Sequence, residues 1–282
     1  MAYRLEPTES IAEAAPRLAV ERVDHALAGL READEAHRDD AIHAARKRLK
    51  ETRAVLRLIR GGLQKRTYHD DNAALRDTGR LLSTARDAWV RIETLNTLAG
   101  PDRYGDLRRQ LLEEYEASRE DPVPDGALSA LEDAGRRVSA WEPSHERRLL
   151  SSGLEKMYRE GKGALRAARA HPDTEHFHDW RKRVKDLWYQ VRLVEPAWPG
   201  PLGALAEEAH RLADLLGDDH DVGMFAAHVR PSGALAELVE ARRATLQRAA
   251  LRLGRVLYAE KPKAFARRIA TARAVWRTAS SS

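Results

Sequence analysis

The sequence predicts an all-α protein, and three observations carry that expectation. Its vocabulary is Ala, Leu, Arg and Glu, with β-branched residues sparse and aromatics at 6%, a composition that favours helix over strand. Apolar residues recur at three- and four-residue spacing almost everywhere, and no strand-like alternation persists. Two similar segments, around His43 and His178, are separated by close to half of the chain, as a duplicated helical unit would place them.

Taken in order, a first helix is expected over residues 8–33, with Thr8 or Ser10 as cap. A second runs from Asp39 or Asp40 to Arg60 and stops at Gly61-Gly62. A third covers 69–98 up to "AGPD", and a fourth covers 103–120. The stretch "DPVPDG" (121–126) is the clearest break. Beyond it come 127–141 and a long segment, 144–170, closed by "HPD". The next helix, 174–194, stops at "EPAWPGP", and 202–216 ends or kinks at "GDDHD". Two more, 232–259 and 262–277, are separated by "EKP". Amphipathic helices in two similar halves suggest two helical bundles built by duplication.

Composition narrows the class further. There are no cysteines, which excludes disulfides and cysteine-ligated metal centres. The N-terminus "MAYRLEPTESIAEAAPRLAV" has no apolar core of a signal peptide, and no run reaches the roughly 18 apolar residues of a membrane span. A cytoplasmic protein is expected. Lys and Arg number 49 against 44 acids, net +5; where those cations sit matters more than the sum.

Their placement is patterned. "IHAARKRLKETRAVLRL" (42–58) and "HFHDWRKRVKDLWYQVRL" (176–193) share the frame H-x-x-R-K-R-[LV]-K. On the first helix Ile42, Ala45, Leu49, Thr52, Leu56 and Ile59 form a core-facing stripe. His43, Arg46, Lys50, Arg53, Arg57 and Arg60 form a second stripe shifted by one position, with Lys47 beside it. On the second helix Phe177, Trp180, Val184, Leu187 and Val191 face the core, flanked by His178, Arg181, Lys185 and Arg192, with Lys182 adjacent. Stacked like charges destabilise a helix by about 0.2–0.5 kcal/mol per pair, so a ligand or acids on a neighbouring helix should offset them. Only nine of the 49 cations are lysines, yet four of these (Lys47, Lys50, Lys182, Lys185) occupy equivalent motif positions. A compact ammonium there suits irregular oxygens. "LLSTARD" (81–87) and "LLGDDHD" (215–221) recur at almost the same separation as the two motifs, which supports the repeat.

These two motif helices resemble the signature helices of the CHAD domain, the conserved-histidine α-helical domain. "LLSTARDAWV", "LLGDDHDVGMF", "GLEKMYREGKGAL" (153–165) and "LYAEKPKAFARRI" (257–269) extend the resemblance over nearly all of the chain. It implies a single domain over 1–282 with halves 1–126 and 127–282. It also implies two pseudo-symmetric four-helix bundles with a basic groove or channel that binds inorganic polyphosphate, and granule targeting as a use. Carried over by position, the contacts are His43, Arg46, Lys47, Lys50, Arg53 and Arg57, then His178, Arg181, Lys182 and Lys185. Lys156, Arg159 and Lys162 precede the second motif and are expected on the same surface. Arg17 and Arg22 on the first helix, Arg80 and Arg86 around the Arg-Asp segment, and Arg192 complete the set. The second half departs from the first in having His220 for Arg86 and Trp188 within its stripe. A fused triphosphatase domain would bring an ExExK strand motif, and "EYEAS" (114–118) lacks the lysine.

The chemistry suits a non-catalytic polyanion binder with no cofactor. Polyphosphate offers charge and no bases, so binding is chiefly electrostatic, with Arg adding a fork of donors. Histidine would donate to phosphate and gain charge as the polyanion raises its pKa. Two competitors stand beside it. "HFHD" (176–179) and "DDHD" (218–221) suggest a metal-dependent HD-type phosphohydrolase, but the cations after His178 repel a divalent metal; a helix end with Asp218 or Asp219 capping and Asp221 paired to an arginine explains "DDHD" better. A nucleic-acid module would add aromatic platforms, and only Trp188 lies on a cationic flank. No nucleophile–base set or Gly-rich phosphate loop is present.

Overall fold

A computed structural model describes residues 3–82, 84–119, 126–144 and 146–280, with the backbone alone at 84–86, 119, 146 and 147. Among these residues every regular element is helical. The α-helices are α1 (Ile11–Glu32), α2 (Arg38–Leu58), α3 (Lys65–Leu81), α4 (Thr84–Ala99), α5 (Gly105–Arg119) and α6 (Ala127–Ser139). They continue with α7 (Glu146–Ala170), α8 (Thr174–Val194), α9 (Pro199–Val229), α10 (Gly233–Leu257) and α11 (Pro262–Ala279). None of them is long and apolar enough to cross a membrane.

Local chemistry sets several boundaries. Ser10 opens α1 with a capping box: its hydroxyl accepts from the Glu13 amide at 3.1 Å, and the Glu13 carboxylate accepts from the Ser10 amide at 2.8 Å. Asp173 caps α8 by accepting from the His176 amide at 2.9 Å. Other ends are decided by packing. The expected helix over 69–98 is two helices, because Leu82 leaves helical geometry (φ −96°, ψ 25°). That break lets α3 stay on α2 and α6 while α4 packs on α5, α9 and α10. The "DDHD" segment does not end its helix: α9 continues through it. Its buried Asp219 accepts from Arg243 at 3.1 Å and Gln247 at 3.0 Å, both on α10. An acid satisfied by a neighbouring helix has no need to cap its own. The break expected at 121–126 lies outside the described residues apart from Gly126.

Two apolar clusters organise the helices. The larger takes in α1, α2, α6, α7, α8, the first half of α9, and Phe265, Ala266 and Ile269 of α11. The smaller joins Ile92 and Leu95 of α4 and Leu111 of α5 to Val222 and Phe225 of α9 and Leu235 and Val239 of α10. Helix α9 passes through both, so an interruption at 217–221 would expose one of them. Helix α6, although it follows the 121–126 stretch, packs against α1 and α3. Two glycines mark close crossings. A Cβ on Gly153 of α7 would collide with the Leu58 carbonyl oxygen at the end of α2, and one on Gly254 of α10 would collide with the Trp180 ring of α8.

Both expected core stripes are buried: Ile42, Ala45, Leu49, Thr52 and Leu56 on α2 with Ile59 at its end, and Phe177, Trp180, Val184, Leu187 and Val191 on α8. With those faces inward, the cationic flanks of α2 and α8 are turned towards neighbouring helices and towards each other.

Candidate functional site

The amino-terminal turns of α2 and the middle of α8 meet at a cleft of about 350 Å³. His43, Arg46, Lys47 and Lys50 line it from α2, and Arg181 and Lys185 from α8. Trp188 and Tyr189 of α8, Asp87 and Val90 of α4, and His210, Asp214 and Asp221 of α9 close it. The arginines at 46 and 181, and the lysines at 50 and 185, hold equivalent positions in the two motifs. The carboxylates at 87 and 221 likewise end the paired "LLSTARD" and "LLGDDHD" segments.

Like charge is crowded here. Lys50 is pushed down to about 7: the cleft strips water from its ammonium, and Lys185, Arg46 and Arg181 repel its charge against the pull of Asp87. Lys50 keeps surface open to water, so repulsion from three cations is the firmer cause. Lys185 is lowered to about 8, first by burial and then by Arg181, with Asp214 and Asp221 opposing. Burial also lowers Arg181, while Asp221 favours its charge. Arg46 lies 3.5 Å from Asp87.

Beyond the cleft the cationic stripes are engaged in pairing. On α2, Arg53 donates to Asn72 at 3.2 Å and Arg57 lies 2.5 Å from Asp186 of α8; just past the end of α2, Arg60 lies 3.0 Å from Glu160 of α7. On α8, Arg192 lies 3.5 Å from Glu51 of α2. Two of these contacts are reciprocal. Arg57 and Arg192 are equivalent, as are Glu51 and Asp186, so each helix sends the same arginine to the same buried acid of the other. The sequence offered Arg57 and Arg192 as ligand contacts; in the fold they join the buried acids Glu51 and Asp186 in clasping the two helices together.

The remaining expected residues fall elsewhere. Lys182 lies 2.5 Å from Asp179 and outside the cleft. His178 stacks on His220 with ring centroids 4.4 Å apart. Burial, Lys182 and Arg181 lower His178, and burial, Arg181 and His178 drive His220 down to about 3, so both rings are neutral beside the cleft cations. On α7, Lys156, Arg159 and Lys162 are not among the cleft-lining residues; Arg159 pairs with Glu155, and Lys162 donates to the Glu260 carbonyl at 2.9 Å. On α1, Arg17 is bonded to Glu9 and Glu21, and Arg22 is buried beside Glu51. Arg80 pairs with Asp77 at 3.3 Å. The side chain of Arg86 lies outside the described residues.

Asp87, Asp214, Asp221 and His210 were not expected in the cleft, although two of them belong to the repeated landmark. Among the described residues no group of three or more His, Asp or Glu side chains is placed to hold a metal. "EYEAS" is helical, within α5.

The arrangement has counterparts among solved structures. The crystal structure of the CHAD domain from the plant Ricinus communis is 19% identical, with a TM-score of 0.55 over 91% of this chain and 94% of that one. PptA from Streptomyces chartreusis is 17% identical, with a TM-score of 0.57 over 89% of this chain and 98% of that one. At these identities the likeness concerns the fold. None of the curated proteins compared with the chain matches it. The family model described as the CHAD domain matches residues 21–230, which include both motif helices and the cleft they form, and this chain is a member of the CHAD-domain family.

Proposed function

We propose that this protein binds inorganic polyphosphate, without catalysis, in the cleft between α2 and α8. The carrying observation is the convergence of Arg46 and Lys50 with Arg181 and Lys185, equivalent cations of two motif helices, at a site where each lysine is disfavoured as a cation by the others. Holding those charges together costs free energy in the empty protein, and a polyanion bound along the cleft offsets it. The reciprocal Arg57–Asp186 and Arg192–Glu51 pairs support the duplication, with α2 and α8 as counterparts in two similar helical units and the cleft as the basic groove between them. Granule association and a cytoplasmic setting remain part of this reading.

Nucleic acid is the weaker ligand because Trp188 has no free platform. His210 packs on its ring at 4.2 Å between centroids, and the Arg192 guanidinium lies 5.3 Å from it. A base would have to compete with both neighbours for that ring. The test is competition binding of labelled long-chain polyphosphate against RNA and ATP at equal phosphate concentration. Polyphosphate should compete best, since a long chain engages more cations at once. Equal competition by ATP would overturn the reading of an extended groove, and stronger competition by RNA would turn the assignment to nucleic acid.

A further inference from the structure

The cleft that collects the cations also holds carboxylates. Five of its lining residues are Lys or Arg and three are Asp, so its formal charge is only +2 with the histidines neutral. The acids are distributed between the two sides. Asp87 sits 3.5 Å from Arg46 and favours the charge on Lys50. Asp214 and Asp221 favour the charges on Arg181 and Lys185. Asp87 is 60% exposed at its side chain, so it can swing into solvent when another anion arrives, whereas Asp214, 64% exposed, also lies 2.9 Å from His210 Nδ1.

Resting on the reading above, we infer that Asp87 and Asp221, with Asp214, are resident counter-ions that an incoming phosphate chain must displace, and that they determine which anions the cleft accepts. A lone phosphate meets few cations and must still part Arg46 from Asp87 and stay close to the remaining carboxylates. A chain spanning both helices replaces several carboxylate contacts at once, so its gain exceeds the same cost. The carboxylates therefore suppress occupation by short anions, and they keep the empty cleft from accumulating unopposed charge. Asp87 and Asp221 come from the same place in the two repeated landmarks, so each motif helix faces a counter-ion of its own.

The test measures binding of orthophosphate, tripolyphosphate and long-chain polyphosphate to the full chain and to Asp87→Asn and Asp221→Asn. These variants keep side-chain shape, and their melting curves report whether folding is retained. Asp77→Asn on α3, which pairs with Arg76 and Arg80 away from the cleft, is a control for the same change in net charge. Displacement predicts binding about fivefold tighter for each cleft variant, the scale of an exposed ion pair. It also predicts detectable tripolyphosphate binding, a steeper salt dependence, and little change in the control. Weaker binding in the cleft variants would mean that the acids orient the arginines for the ligand, and equal tightening in Asp77→Asn would reduce the effect to net charge; either result overturns the inference. A parent protein that binds none of the three anions would instead sink the polyphosphate reading itself.

Discussion

At the scale of single residues, the side chains positioned to change charge on binding are lysines. His178 and His220 are held neutral by burial and by nearby cations, and His220 lies too far down to titrate near neutrality. Lys50 at about 7 and Lys185 at about 8 straddle the working range. An anion favours their charged forms, so each bound-state pKa lies above its free-state value. The complex then holds more protons than the free protein between those values, and affinity falls as pH rises from about 7 upward. Calorimetry at pH 7 to 9 in buffers of different ionisation enthalpy should record proton uptake that Lys50→Gln reduces and His178→Gln largely leaves. Uptake unchanged in Lys50→Gln would clear that lysine of the role. Substitutions should also separate neighbours on one helix: Lys185→Ala weakens binding about tenfold, whereas Lys182→Ala, paired with Asp179 outside the cleft, changes it little.

At the scale of elements, α2 and α8 are joined by two ion pairs related by the repeat. Removing one partner of a buried pair leaves the other charge without compensation, at about 3–5 kcal/mol. Arg57→Met should destabilise the fold in denaturant titration by less than that, about 1–3 kcal/mol, since Asp186 is buried beside it but keeps Arg183 at 3.5 Å. The paired change Arg57→Met with Asp186→Leu should recover part of the loss. No recovery in the double variant would show that the arginine matters for its packing alone. Helix contacts make a separate prediction. Gly153→Ala places a Cβ against the Leu58 carbonyl, and over-packing at a backbone contact costs about 1–3 kcal/mol. The visible result is a lower melting temperature, while Gly163→Ala, with nothing near its Cβ, is neutral or slightly stabilising.

At the scale of the molecule, α9 is the element that ties the parts together. It runs through both apolar clusters and carries Asp214 and Asp221 to the cleft opposite α2. The cleft is thus assembled from α2 and α4 on one side and α8 and α9 on the other, and neither side holds the four central cations alone. Affinity for long-chain polyphosphate should fall linearly in log–log form with salt, with a slope set by the number of phosphates neutralised. Replacing Lys50 and Lys185 together with alanine should flatten that slope by about two. An unchanged slope would place the ligand elsewhere on the surface.

The sequence by itself determined the all-α class, both buried stripes and the repeated motif, and it offered Ser10 beside Thr8 as the first helix cap. Each of these rests on local spacing, because a helix places residues three and four apart on one face whatever lies opposite. It also brought Arg46, Lys47, Lys50, Arg181 and Lys185 into one candidate set. Only the tertiary structure decided which cations of that set line a cleft and which are paired. Arg53, Arg57 and Arg60 continue the stripe of Lys50 in phase, and periodicity cannot tell them apart from it. What separates them is Asn72, Asp186 and Glu160, distant in sequence and brought alongside by packing. The same holds for the "DDHD" segment, whose acids are those of a helix end to a local reading. A partner helix that satisfies Asp219 and a core that needs α9 unbroken are non-local facts, and they outweigh the local preference.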